Sequence, residues 1–215
     1  MKKNFLIAIA VIIAIASVSV IYATTQNSNS DIHHAEYVVN SAHDDARTFT
    51  AQNSETGYGN EDGQWANLQL SPSYSFGVRF TNISIPRYAL IKTAYIELYS
   101  IGTTNHRHPV CRIYCDDVDN AVNFSSVGVL DICGRVYTSK YSEWNTTVAF
   151  AQWVSTPSLI APMQQVIDRQ NWNPGNAIAF LFVSKGTLDC AAAFQNYENG
   201  QPAKLYVEWE VIKPK

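Results

Sequence analysis

Period-two alternation of apolar and polar side chains runs through most of this 215-residue chain. Ala66, Leu68 and Leu70 alternate with Trp65, Asn67 and Gln69. Phe76, Val78 and Phe80 alternate with Gly77, Arg79 and Thr81. Ala94, Ile96 and Leu98 alternate with Tyr95, Glu97 and Tyr99, and Leu205, Val207, Trp209 and Val211 with Tyr206, Glu208 and Glu210. Successive strand side chains point to opposite faces, so this pattern fits strands with one buried and one wet face and does not fit helices. The stretch 177–183 is apolar throughout and predicts a central strand covered on both sides. One segment follows another period: Leu159, Ile160, Met163, Val166 and Ile167 have helical spacing and predict a helix over about 158–171. Thr156 or Ser158 can cap it, Pro162 is tolerated only in its first turn, and Asn173-Pro174-Gly175 ends it. Many short strands with one helix predict an all-β domain, a β-sandwich or jelly roll, over 37–212.

The N-terminus has a different character. Lys2 and Lys3 precede an uncharged apolar run over 5–23, the layout of a secretory signal peptide, with Ala23 as a small-residue cleavage site. The run also approaches the length that spans a bilayer, so a retained membrane anchor over 5–23 fits as well. Both readings place the rest of the chain outside, secreted or on the cell surface, touching a membrane only through this segment. The polar stretch 24–36, TTQNSNSDIHHAE, predicts a flexible tether. Removing Lys2 and Lys3 takes the net charge from −3 to −5, and no Lys or Arg run exists, which argues against a nucleic-acid partner.

Export makes the four cysteines candidates for disulfides. Cys111 and Cys115 fall on one face of one predicted strand, about 13 Å apart, beyond the roughly 7 Å that a disulfide spans. Two pairings remain: Cys111 with Cys133 and Cys115 with Cys190, or Cys111 with Cys190 and Cys115 with Cys133. Four buried free thiols are the alternative. Three Asn-x-Ser/Thr sites, at Asn82, Asn123 and Asn145, are candidate glycan acceptors or ordinary polar loops. His33-His34 and His106-x-His108 lack the spacing of a metal site and read as loop residues.

Acidic residues cluster in a chain with only 15% charged residues. Asp44 and Asp45 follow the first strand, and Asp116, Asp117 and Asp119 follow the strand that carries Cys111 and Cys115. Like charges packed so closely need compensation, and a structural calcium ion held by these five carboxylates is one source of it. Solvated turns in which Asp and Asn bond local backbone are the other reading. No nucleophile elbow, zinc signature or phosphate-binding glycine loop is present, and the predicted wet strand faces carry few carboxylates, so catalysis is not expected.

Five segments in order resemble a known family. They are NSAHDDA at 40–46, GVRFTNISIPRYALIKTAYIELY at 77–99, DDVDNAVNFS at 116–125, TPSLIAPMQQVIDRQNWNPGNAIAFLF at 156–182 and GQPAKLYVEWEV at 200–211. Together they resemble secreted jelly-roll modules similar to carbohydrate-binding modules, found in surface and adhesin-like proteins and extracellular glycosidases. The resemblance covers nearly all of the chain after the N-terminal segment. It implies a non-catalytic surface module whose partner is a polysaccharide or surface glycan. Sugars are held by aromatic faces, and the aromatics expected on loops or outward strand faces are Trp65, Tyr95, Tyr99, Trp144 and Trp153, with Tyr58, Tyr74 and Tyr197 as further candidates. Two other functions fit the sequence. One is a structural subunit of an extracellular filament or coat, self-assembling by donation of its N-terminal segment as a strand. The other is a secreted polysaccharide hydrolase or lyase.

Overall fold

The computed structural model describes residues 30–49, 55–58, 67–102, 107–124 and 132–212. Ile32–Val211 form one compact unit. The signal or anchor segment, Trp65 and His106 therefore lie outside the described residues. Among the described residues no helix is long and apolar enough to cross a membrane.

In chain order the strands are β1 (Ser30–Val38), β2 (Asp45–Phe49), β3 (Glu55–Tyr58), β4 (Leu68–Leu70), β5 (Tyr74–Phe80), β6 (Leu90–Ser100), β7 (Arg107–His108), β8 (Val110–Cys115), β9 (Ser142–Asn145), β10 (Gln152–Ser155), β11 (Ile178–Ser184), β12 (Ala191–Phe194) and β13 (Lys204–Ile212). A 3-10 turn, Ala42–Asp44, precedes β2, and the one α-helix among the described residues, α1 (Ile160–Ile167), lies between β10 and β11. One sheet runs β1-β13-β6-β12-β4, with β10 also pairing β6 and β7 pairing β12; the other runs β3-β2-β5-β11-β8-β9.

The strand order identifies the architecture. Take β1, β5, β6, β8, β9, β10, β11 and β13 as first to eighth. First pairs with eighth, second with seventh, third with sixth and fourth with fifth. This is a hairpin of ribbons rolled over on itself, with its pairs divided between two sheets: a jelly roll. The expected all-β sandwich with one helix is therefore present. β2 and β3 extend one sheet beyond β5, and β4, β7 and β12 extend the other.

The alternation read from the sequence sorts side chains as expected. Leu68, Leu70, Phe76, Val78, Phe80, Ala94, Ile96, Leu98, Leu205, Val207 and Trp209 all enter the core between the sheets. β11 lies between β5 and β8, and both of its faces are covered. Ile178, Phe180 and Phe182 face the main core, whereas Ala179 and Leu181 join a smaller cluster with Ala46, Ala121, Phe124 and Ile132. Phe124 sits directly over Gly77 of β5, where a side chain would leave it no room.

Three expectations change. The tether expected over 24–36 is strand from Ser30 onward: β1 pairs with β13 of its own chain, because backbone hydrogen bonding does not need the apolar alternation this polar segment lacks. α1 is shorter than the 158–171 read from spacing. Its N-cap is Leu159, with no side-chain cap, and it ends at Asp168, where the chain enters turns that carry Trp172 into the core. Thr156 does not cap the helix; its Oγ1 accepts the Ile96 N–H at 3.0 Å and extends the β10–β6 pairing. α1 buries Pro162, Met163, Val166 and Ile167 against β6 and β8, and so closes one end of the sandwich.

Gly77→Ala tests the Phe124 contact. The new Cβ would lie 2.6 Å from Phe124 Cζ and 2.8 Å from Cε1, with the Arg135 guanidinium 4.5 Å from the centre of the same ring. Overpacking of this kind costs about 1–3 kcal/mol, read as a lower denaturation midpoint.

Candidate functional site

Two groups of side chains carry chemistry, an aromatic strip and a network of ion pairs. The strip lies on the outer face of the β1-β13-β6 sheet. In β6, Ala94, Ile96 and Leu98 turn inward, so Tyr95, Glu97 and Tyr99 turn outward; in β13, Leu205 and Val207 turn inward and Lys204 and Tyr206 outward. Register brings them together: Tyr95 is opposite Tyr206, Glu97 lies between Ser155 and Lys204, and Tyr99 is opposite Trp153.

Each ring is fixed by a neighbour. Tyr95 and Tyr206 stack with centroids 5.1 Å apart, and Tyr99 meets Trp153 edge-on at 5.6 Å. Lys204 Nζ lies 4.4 Å above the Trp153 ring, and the Tyr99 hydroxyl donates to the Ala151 carbonyl at 2.9 Å. The Tyr206 hydroxyl is pushed up to about 12 by desolvation and by its hydrogen bonds to the Glu36 and Glu97 carboxylates, which would meet a charged phenolate with repulsion. At the Tyr95 end the strip opens into a pocket of about 370 Å³, lined by Lys92, Thr93, Ser155, Ser158 and Ile160 among others.

Of the aromatics singled out as ligand contacts, Tyr95, Tyr99 and Trp153 are thus brought together. Trp144 is not part of the group: it is 2% exposed, stacked on Phe194 at 5.6 Å and tilted against Phe182, a core residue. β9 turns Ser142, Glu143 and Asn145 towards solvent and Trp144 inward. Tyr74 is half-buried, with the Arg47 guanidinium 5.0 Å from its ring centre, and Tyr197 is exposed on a turn. Tyr206 and Lys204 were not singled out, although they occupy the wet positions of the alternating run in β13.

The acidic clusters are matched by arginines. Arg79 pairs with Asp44 and donates through Nε to the Ala121 carbonyl at 2.7 Å. Arg135 pairs with Asp116 at 2.8 Å, both side chains nearly buried, and also donates to the Val122 and Asn123 carbonyls. Arg169, just past α1, pairs with Asp117 at 2.6 Å and Asp119 at 2.8 Å, while Gln165 of α1 donates to the other Asp117 oxygen at 3.1 Å. Burial outweighs Arg135 at Asp116 and holds that carboxyl above its ordinary value. The repulsion that suggested calcium at Asp116, Asp117 and Asp119 is thus relieved by guanidinium groups, and among the described residues no three His, Cys, Asp or Glu side chains converge on a metal-sized gap. Asp45 is the exception to this pairing: it is fully buried, and among the described residues it accepts only the Tyr197 N–H, at 2.8 Å.

All four cysteines are free thiols. Cys111 and Cys115 face the main core, as expected from their shared strand face. Cys133 hydrogen-bonds Tyr137, which packs on the smaller cluster across the sheet from Cys115. Cys190 accepts the Val110 N–H at 3.4 Å, five strand residues, about 17 Å, from Cys115. Neither complete pairing can form, because each asks for a bridge through the sheet or along the length of β8. Burial pushes the Cys111 thiol well up, and the neighbouring Cys190 adds to this. Asn82 is exposed with φ 56°, Asn145 is exposed and bonded to His108 at 2.8 Å, and Asn123 is half-buried. His33 and His34 are exposed on β1, where His33 stacks on Trp209.

No protein-family model and no curated protein matches the chain. Among solved structures, the cryo-EM structure of mud crab tombus-like virus matches at 10% identity, covering 86% of this chain and 82% of that one with a TM-score of 0.32. A likeness of that strength carries no statement about ancestry or function.

Two outcomes follow from these contacts. Arg135→Ala strands a nearly buried Asp116 carboxylate and is expected to cost about 3 kcal/mol in denaturant unfolding. Thiol titration of the denatured, unreduced protein is expected to return all four cysteines.

Proposed function

We propose that the protein is a non-catalytic surface module that binds polysaccharide or glycan on the outer face of its β1-β13-β6 sheet. The observation that carries this reading is the strip formed by Trp153, Tyr99, Tyr95 and Tyr206, with Glu97, Lys204 and Ser155 between the rings. Flat rings attract the C–H faces of sugars through their negative π-surfaces, and interspersed carboxylate, ammonium and hydroxyl groups bond sugar hydroxyls. The rings are held by stacking and by Lys204 before a ligand arrives, so little side-chain entropy is lost on binding. Three strands contribute, so the strip runs across the sheet and suits an extended chain of sugar units better than a single one. The pocket beside Tyr95 would take a substituent or a chain end. The five sequence segments that resemble carbohydrate-binding modules of surface proteins and extracellular glycosidases support the same reading. They also support an exported location, with the apolar run at 5–23 as signal or anchor.

Assembly by strand donation is less well supported, because β1, the segment that would be donated, already pairs with β13 in its own chain.

The test is a binding screen of residues 24–215 against a broad polysaccharide and glycan panel. Trp153→Ala and Tyr95→Ala are each expected to weaken binding about 10-fold, the effect of losing roughly 1.4 kcal/mol of stacking, with unchanged circular dichroism. Absence of binding to every member of the panel retires the reading.

A further inference from the structure

The buried carboxylate left over from the arginine pairing has a second carboxylate beside it. Asp45, the first residue of β2, is 0% exposed. Its Oδ2 accepts the Tyr197 N–H at 2.8 Å, and its Oδ1 is buried with no partner among the described residues. Tyr197 belongs to the turn between β12 and β13. In that turn Glu198 accepts the Asn196 side-chain amide on Oε2 at 2.6 Å, while its Oε1 is also buried with no partner. Asn196 is itself buried, 1% exposed, and its Oδ1 accepts from Asn199 at 2.7 Å. The Tyr197 hydrogen bond brings the turn that carries Glu198 against Asp45.

The arginines nearby are engaged elsewhere. Arg79 holds Asp44 and the Ala121 carbonyl, and Arg47, two residues along β2, donates to Asn67 and Gln69. Among the described residues no Lys, Arg or His pairs with Asp45 or Glu198. Buried polar atoms are nearly always satisfied, and two neighbouring carboxylates cannot both stay ionised out of water without a positive charge between them. Two orphan oxygens from separate segments, both carboxylate, are what a cation would occupy.

We propose that Asp45 and Glu198 are the carboxylate ligands of a divalent-cation site that takes calcium, with the Asn196 amide beside it. The donors are all oxygen, the preference of a hard cation rather than of zinc or copper. Calcium accepts irregular shells completed by main-chain carbonyls and water, whereas magnesium demands near-ideal octahedral geometry. The ion would join the start of β2 to the β12–β13 turn, elements far apart in sequence. This inference does not rest on the glycan reading: none of its residues belongs to the aromatic strip.

The experiment is calcium titration of the chelator-stripped full-length protein at pH 7 by calorimetry, with melting temperature read in parallel. Saturable binding and a rise in melting temperature are expected. Asp45→Asn and Glu198→Gln are each expected to weaken binding at least 100-fold. Asp119→Asn, which touches the Arg169 network instead, is expected to bind as the parent does. If Asp45→Asn fails to fold, Glu198→Gln decides alone. The proposal is overturned if the stripped parent gives neither heat nor a melting shift, or if Glu198→Gln keeps the full shift.

Discussion

Burial of β11 on both faces is the constraint on which the rest of the structure depends. A strand with Ile178, Phe180 and Phe182 on one face and Ala179 and Leu181 on the other cannot sit in an open two-layer sandwich; something must cover the second face. The covering segment runs from β8 towards β9 and contributes Ala121, Phe124 and Ile132. Phe124 reaches the sheet only because Gly77 presents bare backbone beneath it. The Ala121 N–H donates to the Ala177 carbonyl at 3.0 Å, and side chains add further ties. Arg79 bonds the carbonyl of Ala121, Arg135 those of Val122 and Asn123, and both guanidinium groups also pair with buried aspartates.

The acidic clusters take their meaning from this arrangement. Asp116, Asp117 and Asp119 sit where the chain leaves β8, and Arg135 and Arg169 approach them from the far end of the same connection and from beyond α1. Ion pairs of this kind contribute little as isolated attractions, since desolvation offsets most of the Coulomb gain. Their effect here is positional: they fix where the cover and the helix meet the sheet.

How much of this could be read from the chain depends on the range of the interaction. Strand positions and the doubly covered strand were legible because alternation is a local pattern, and Leu205, Val207 and Trp209 or Ala179 and Leu181 report their faces directly. The helix was legible, but its C-terminal end was not: Asn173-Pro174-Gly175 was read as the stop, whereas the helix ends at Asp168 and the turns beyond it take Trp172 into the core, its Nε1 donating to the Ile85 carbonyl at 2.9 Å. The arginine partners of the aspartates were hidden, since Arg135 and Arg79 lie about 20 and 35 residues from the carboxylates they meet. Glu198 and Asn196 gave no signal for the same reason. Part of the aromatic strip was visible as outward positions of β6, but Tyr206 becomes a neighbour of Tyr95 only through the β13–β6 register. Trp144 was misread because a strand of four residues is too short for its alternation to stand out.

The nested pairing of the jelly roll governs the order in which such a chain can fold. The innermost pair, β8 with β9, closes the shortest loop, and each outer pair encloses the one before it, ending with β1 on β13. Loop closure must precede the contacts that reward it, so this topology folds slowly compared with one built from local contacts. During synthesis the first strand has to wait for the last, and until then the edge of β13's future neighbour β6 lies open. β1 is strongly polar, with Asp31, His33, His34 and Glu36 all exposed. A waiting strand of that composition stays hydrated and resists pairing with another copy, so the polarity of β1 protects the nascent chain from aggregation over the interval that its own topology imposes.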